Sequence, residues 1–328
     1  MRFGVYFDLR NPPAWARPWP AVYADALDLA VEAERLGAGG VWLSEHHLFD
    51  DGYLSQPLTM AAAFAARTST VRIGTAVLVA PLRHPRHIAE EAAIVDLVSN
   101  GRLELALGAG YSAVEYDAFD VDGLRRYELT DEAITKVRRM WLSGEVLPPP
   151  VQEPPPLWLG YQGPRGAERA GRLDVGLLSL DRALLAPYQR GLTEAGHDPA
   201  NARMGGLVEI LLADDPDEAR ERVLPHYAHQ VNSYRRAAAA GTGRPEPKEV
   251  TVDRLREGMN SRGAIPGLAV LTVDEAITHV GAAVAGLPAT DVYVWANVAG
   301  MPDDLVRRHL ELWLGPVRDG VATAVGSR

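Results

Sequence analysis

The chain has 328 residues with 33 basic and 43 acidic side chains, a formal charge of −10, and no cluster of Lys and Arg of the kind that nucleic-acid binding by counterion release requires. It contains no Cys, which excludes disulfides, Fe–S clusters, Cys-ligated zinc and a thiolate nucleophile. The opening Met1-Arg2-Phe3-Gly4-Val5-Tyr6-Phe7 turns polar at Asp8 and Arg10, before a signal-peptide core can form, and no run approaches the roughly 20 apolar residues of a membrane span, so a cytoplasmic protein without membrane contact is expected.

Arg2–Phe7 reads as a strand, and after the Pro12-Pro13 loop a helix runs from about Tyr23 to Leu36, stopped by Gly37. Gly40–Leu43 is a second strand, followed by a helix over Pro57–Thr68. Val71–Val79, continuously apolar and β-branched, reads as a buried third strand. A helix over Arg86–Val98 stops at Asn100-Gly101. Leu103–Leu107 is strand four and Thr130–Leu142 its helix. Pro148–Pro150 and Pro154–Pro156 resemble a linker but read as a loop, because strand Leu157–Leu159 follows at once. Leu207–Leu212 is then a sixth strand, Gly267–Leu271 a seventh and Asp291–Ala296 an eighth. Helices open at Asp215-Pro216, at the capping box Thr272–Glu275 and at Pro302-Asp303.

Eight strand-plus-helix units favour a closed (β/α)₈ TIM barrel, here one domain over 1–328, above an open doubly wound sheet. Residues 235–266 break the rhythm as a long insertion before the seventh or eighth unit, either a mobile lid over the barrel mouth or an inert insertion.

In such a barrel the chemistry lies where strands end. Glu45-His46-His47 follows strand two and places two imidazoles and a carboxylate together, an acid/base pair suited to neutral pH with an orienting group. Adjacent residues on extended chain point apart, which disfavours metal ligation, and no metal is assigned. Gly108-Ala109-Gly110-Tyr111 follows strand four; it fits G-x-G-x-x-A, but a Rossmann helix does not open there. The reading is backbone thinned for a flat ligand, or a plain tight turn. Gly160-Tyr161-Gln162-Gly163-Pro164-Arg165 feeds a helix N-terminus and offers an anion site with Arg165 as added charge, or an ordinary surface turn. Phe7, Leu48, Phe49 and Trp295 are candidate substrate contacts at the mouth. His226, Tyr227 and His229 are taken as surface or dimer residues.

With Val41–His47, Gly74-Thr75-Ala76, Pro81, His84-Pro85, Gly101-Arg102 and Ala167–Ser179 in view, the chain resembles the bacterial luciferase-like flavin-dependent monooxygenases over nearly its whole length. That resemblance implies a homodimer that takes reduced FMN from a separate reductase. It then forms a C4a-hydroperoxyflavin with O₂ and transfers one oxygen to a small organic substrate, an aldehyde, a ketone or a biosynthetic intermediate. It makes His46 the catalytic histidine, with His47 and Glu45 beside it, and puts a non-prolyl cis peptide at Ala76–Val77 against the flavin. Gly108–Tyr111 then flank the ring, and Gly160–Gly163 with Arg165 hold its phosphate. The family's phosphate-holding arginine is replaced by Ala109, and Arg165 is expected to compensate. Where the family has a Gly-Thr-Pro start, this chain reads Ala269–Asp274. Alternatives left open are F420-dependent hydride transfer on the same barrel, a non-catalytic flavin-binding subunit and a metal-dependent hydrolase.

Overall fold

The computed structural model describes residues 1–258 and 268–326. Its strands in chain order are β1 (Arg2–Phe7), β2 (Gly40–Leu43), β3 (Arg72–Thr75), β4 (Leu78–Val79), β5 (Leu103–Gly108), β6 (Leu157–Leu159), β7 (Gly176–Leu178), β8 (Met204–Leu207), β9 (Ile210–Leu212), β10 (Ala269–Leu271) and β11 (Ala289–Trp295). The helices are α1 (Trp19–Arg35), α2 (Pro57–Arg67), α3 (Pro85–Ser99), α4 (Ala113–Ala118), α5 (Arg126–Leu142), α6 (Gly163–Arg172), α7 (Leu185–Glu194), α8 (Pro216–Ala239), α9 (Val252–Gly258), α10 (Val273–Val284), α11 (Asp303–Leu312) and α12 (Arg318–Gly326).

All strand pairs are parallel. The order β3-β2-β1-β11-β8-β7-β6-β5 closes on itself through Ile73↔Leu103 and Gly74↔Glu104, so the structure is an eight-stranded (β/α)₈ barrel. The count of eight is the expected one, but two members differ. Gly176–Leu178 is a barrel strand too short to stand out in the sequence. Of the expected strand at 267–271, position 267 lies outside the described residues, and Ala269–Leu271 forms β10 outside the barrel, paired with β9 in a separate two-stranded sheet. The expected strand Leu207–Leu212 is accordingly divided between β8 and β9, and Val71–Val79 is divided between β3 and β4 at Ala76-Val77. The irregular stretch expected from Arg235 also begins later. Residues 235–239 complete α8, whose Asn232 side chain bonds both backbone groups of Val250 (2.9 and 2.8 Å), and α9 follows. Positions 259–266 of that stretch lie outside the described residues.

Strand parity sets the packing. Odd positions of β1 (Phe3, Val5, Phe7) face the helices with Val41, Leu43, Leu105 and Leu107. Tyr6, Trp42, Trp158, Tyr293 and Trp295 pack together as the inner set. Trp42 and Trp158 are almost wholly buried. Glycines stand where a Cβ would run into them: Gly74 against Trp42 and Gly176 against Trp158. The N-terminal end of the barrel is closed by ion pairs, Arg2 with Asp291 (2.7 Å) and Glu104 (2.9 Å), and Arg72 with Glu104 (2.6 Å). Glu104 also accepts the Trp158 indole N–H at 2.8 Å. Chemistry is therefore left to the opposite end. There His309 on α11, fully buried, accepts the Leu212 N–H at Nδ1 (3.0 Å) and donates from Nε2 to the Trp295 carbonyl (3.1 Å). Burial pushes its pKa down to about 4.

Candidate active site

β2 delivers Glu45-His46-His47 to the mouth, and because the chain there is extended the two imidazoles diverge. His47 turns to Glu45, with Nε2 2.8 Å from Oε1, and its ring meets Phe119 edge-on. Glu45 is anchored in turn by the Val79 N–H (2.7 Å to Oε2) and by Arg83. Glu45 thus orients His47, whereas His46 has a different partner. Its Nδ1 lies 2.9 Å from Glu115 Oε1, which also accepts the His47 backbone N–H at 2.8 Å. With the Glu115 oxygen as acceptor, Nδ1 carries a proton and Nε2 is the ring nitrogen left to face a ligand. Nε2 has no hydrogen-bond partner among the described residues.

Glu115 is not among the residues that the sequence singles out. The signal was present as Ser112-x-x-Glu115, the capping-box pattern. Ser112 is indeed the N-cap of α4, yet it makes no cap bond, and Glu115 turns to the histidines instead. Both are almost wholly buried, and Ser112 Oγ and Glu115 Oε2 have no partner among the described residues.

Four aromatic rings enclose His46: Phe49 stacked at 4.6 Å, Tyr53 at 4.9 Å, Tyr111 at 5.1 Å and Tyr234 at 5.8 Å. Behind them the buried Arg10 guanidinium lies 4.4 Å from the Tyr53 ring and 4.6 Å from that of Tyr234. Arg10 pairs with Asp8 (3.0 Å) and Asp51 (2.9 Å), and Asp51 binds His229 Nε2 at 2.7 Å. Burial pushes the Asp8 carboxyl up to about 6 and outweighs Arg10. At Asp51 burial acts in the same direction but is exceeded by His229 and Arg10, so its pKa is lowered. His229 is therefore part of this network, and His226 is buried against Trp15 (3.9 Å); of the two roles expected for them, surface or dimer, the first does not hold.

The Ala76–Val77 peptide is cis, and Tyr6 donates its hydroxyl to the Ala76 carbonyl at 3.0 Å. Both residues remain half-buried at the mouth. Gly108 and Gly160 have a different reason from the one expected. A Cβ on either would collide with the Val77 side chain, so they are small to seat Val77. Ala109 is buried and its carbonyl accepts the Tyr116 hydroxyl (2.8 Å), Gly110 has φ +74°, and Tyr111 stays exposed at the rim.

At the anion loop, Tyr161 turns away from the mouth and donates to Asp131 (2.8 Å) in the helix layer. Gln162 is exposed as the N-cap of α6 with no side-chain cap bond, Gly163 has φ +77°, and Arg165 is exposed beside it. Of the candidate substrate contacts, Phe49 reaches His46 and Trp295 faces inward at 4.6 Å from Tyr6. Leu48 is exposed. Phe7 belongs to the core outside the barrel, against Phe64 at 5.0 Å, and is not brought to the site.

Residues 1–281 match the family model described as luciferase-like monooxygenase. The chain belongs to the luciferase-like monooxygenase family. Relatives in this family bear names of both flavin-dependent monooxygenases and F420-dependent dehydrogenases. An uncharacterized protein, y4vJ, of Sinorhizobium fredii is 41% identical over 31% of this chain and 29% of its own. The oxygenase component of a flavin-dependent trigonelline monooxygenase from Acinetobacter baylyi is 31% identical over 45% of this chain and 46% of its own. The match thus spans less than half the length of either relative. Among solved luciferase-like structures, the monooxygenase RslO1 from Streptomyces bottropensis has a TM-score of 0.78 at 24% identity, covering 97% of this chain and 99% of that one. An F420-dependent secondary alcohol dehydrogenase has a TM-score of 0.72 at 20% identity, covering 97% and 99%. At these identities the likeness is one of fold. No helix among the described residues is long and apolar enough to cross a membrane.

Proposed function

We propose that this chain is the oxygenase component of a two-component flavin-dependent monooxygenase, taking reduced FMN from a separate reductase and oxygenating a small organic substrate with O₂. The observation that carries this reading is His46, with Nδ1 held by Glu115 and its ring enclosed by four aromatic rings beside the half-buried Ala76–Val77.

The residues fit a phosphorylated flavin. The N-terminus of α6 has no side-chain cap, so its first-turn N–H groups and Arg165 are available to the phosphate. One buried polar atom at the mouth, Glu115 Oε2, is without a partner among the described residues. When bound, reduced FMN supplies the electrons that activate O₂ and allow one oxygen atom to reach the substrate. The chain's own part is to hold and exclude. Glu115 fixes the His46 tautomer, and His46 Nε2 takes or returns a proton at the mouth. Phe49, Tyr53, Tyr111 and Tyr234 keep water from it, and backbone at Ala76–Val77 forms the surface against the ring. The stretch after α8 serves as a lid, and the family resemblance supports a homodimer.

The test is anaerobic titration of the cofactor-free protein with reduced FMN and with oxidised F420, then oxygen uptake and product mass under labelled dioxygen. Tight FMN binding with label in the product supports the reading. Tight F420 binding with substrate oxidation in the absence of O₂ replaces it with hydride transfer, the activity that several relatives are named for.

A further inference from the structure

A cavity of about 180 Å³ lies between the β2–α2 loop, the start of α4 and the second half of α8. Two hydrogen-bond donors in its lining are uncommitted. Ser112 is only 1% exposed, and its Oγ, which makes no cap bond to α4, has no partner among the described residues. A buried hydroxyl left unpaired is costly, so a ligand that engages it gains that free energy back. Arg236, half-buried in the same lining, forms no ion pair among the described residues. Of the nearby carboxylates, Asp51 is committed to Arg10 and His229, Asp50 is exposed at the rim, and Glu246 and Glu249 line a neighbouring cavity that Arg236 also borders; none of them forms an ion pair with Arg236 among the described residues. Leu48, Phe49 and Val114 supply apolar wall.

We infer that this cavity is a carboxylate subsite that takes the acid group of an amphiphilic organic acid. Arg236 is the counter-ion, Ser112 donates a hydrogen bond, and the carbon skeleton lies on Leu48, Phe49 and Val114. A guanidinium with a neutral donor suits a carboxylate, and the apolar wall favours an organic acid over an inorganic anion. Phe49 links this site to the other, since it lines the cavity and its ring stacks on His46. The inference rests on the oxygenase reading in so far as it names the class of substrate that enzyme accepts.

Benzoate, benzamide and inorganic phosphate are titrated calorimetrically into cofactor-free protein. Benzoate is expected to bind about tenfold more tightly than benzamide or phosphate, and Arg236→Gln to remove that advantage. Ser112→Ala weakens benzoate about threefold. Arg235→Gln removes a neighbouring charge whose guanidinium sits on the Lys248 carbonyl, and it leaves benzoate affinity unchanged. Equal affinity for benzoate and benzamide overturns the inference, as does benzoate binding unaltered in both Arg236→Gln and Ser112→Ala. Phosphate binding as tightly as benzoate overturns the organic-acid assignment. Neither flavin nor O₂ enters the measurement, so its failure leaves the oxygenase reading standing, and a failure of FMN to bind leaves the subsite standing.

Discussion

Glu115 Oε1 stands 2.9 Å from His46 Nδ1 across 69 residues of sequence, and this contact gives the imidazole one defined tautomer. Glu115→Gln keeps the size of the side chain and removes its charge. It is expected to lower kcat about 100-fold, with KM and FMN affinity little changed, and Glu115→Asp to recover part of the loss. A purely structural role predicts instead that KM, FMN affinity and melting temperature move together; steady-state kinetics beside flavin titration separates the two.

His46→Ala removes the group proposed to handle the proton. Flavin binding is expected to persist while product formation falls about 100-fold and most of the O₂ consumed leaves as hydrogen peroxide. Normal oxygenation by this variant, measured as product per O₂, removes His46 from the mechanism.

Arg165 lies beside the uncapped start of α6, and Ala109 provides no charge where the resemblance leads one to expect an arginine. Arg165→Ala is predicted to raise the FMN dissociation constant about tenfold, with the helix amides retaining the rest. The same variant leaves riboflavin binding as it was, because riboflavin carries no phosphate. An unchanged FMN constant rejects the assignment.

Val77 explains two glycines at once. Gly160→Ala forces a Cβ into its side chain, and overpacking of this kind costs about 1–3 kcal/mol. Val77→Ala in the same chain opens the space, so the double variant is expected to be more stable than Gly160→Ala alone. Chemical denaturation of the cycle gives the coupling, and additive losses refute the packing account.

His309 sets a pH dependence of stability with a definite sign. Its folded pKa of about 4 lies below the ordinary histidine value, so between about 4 and 6.5 the unfolded chain binds the extra proton. Stability is therefore lost as pH falls through that window, by about 2 kcal/mol from pH 7 to pH 5. Asp8, pushed up to about 6, acts in the opposite sense, because its native state holds the extra proton and gains stability as pH falls through 6. The two are separated by comparison with His309→Asn, which is predicted to lose less stability than the parent between pH 7 and pH 5. Parallel curves for the two proteins contradict this.

The barrel was legible because its strands are apolar runs punctuated by Gly, Pro and capping residues, and the count of eight followed from them. Membership was less so where strands are short or edges are shared: β7 has three residues, and β9 and β10 carry the same pattern as barrel strands while pairing only with each other. Glu45-His46-His47 was legible by its place after β2, but its wiring was not, since a carboxylate two residues away looks like the natural partner and the one that reaches His46 comes from α4. Phe7 went astray through parity. Arg2, Gly4 and Tyr6 share one face of β1, and Phe7 falls on the other.

The small β9–β10 sheet has a consequence for how this protein can vary. β9 follows closely on barrel strand β8, β10 runs beside it, and the Ala213 N–H meets the Leu271 carbonyl at 3.1 Å. The chain thus departs for α8 and returns from its excursion through a single stapled gate. Whatever lies between can be lengthened, shortened or exchanged without changing the register of any barrel strand. Arg236 and Tyr234 ride on that exchangeable portion, whereas Glu45, His46 and Glu115 do not. Specificity can drift there while the proton-handling end stays fixed.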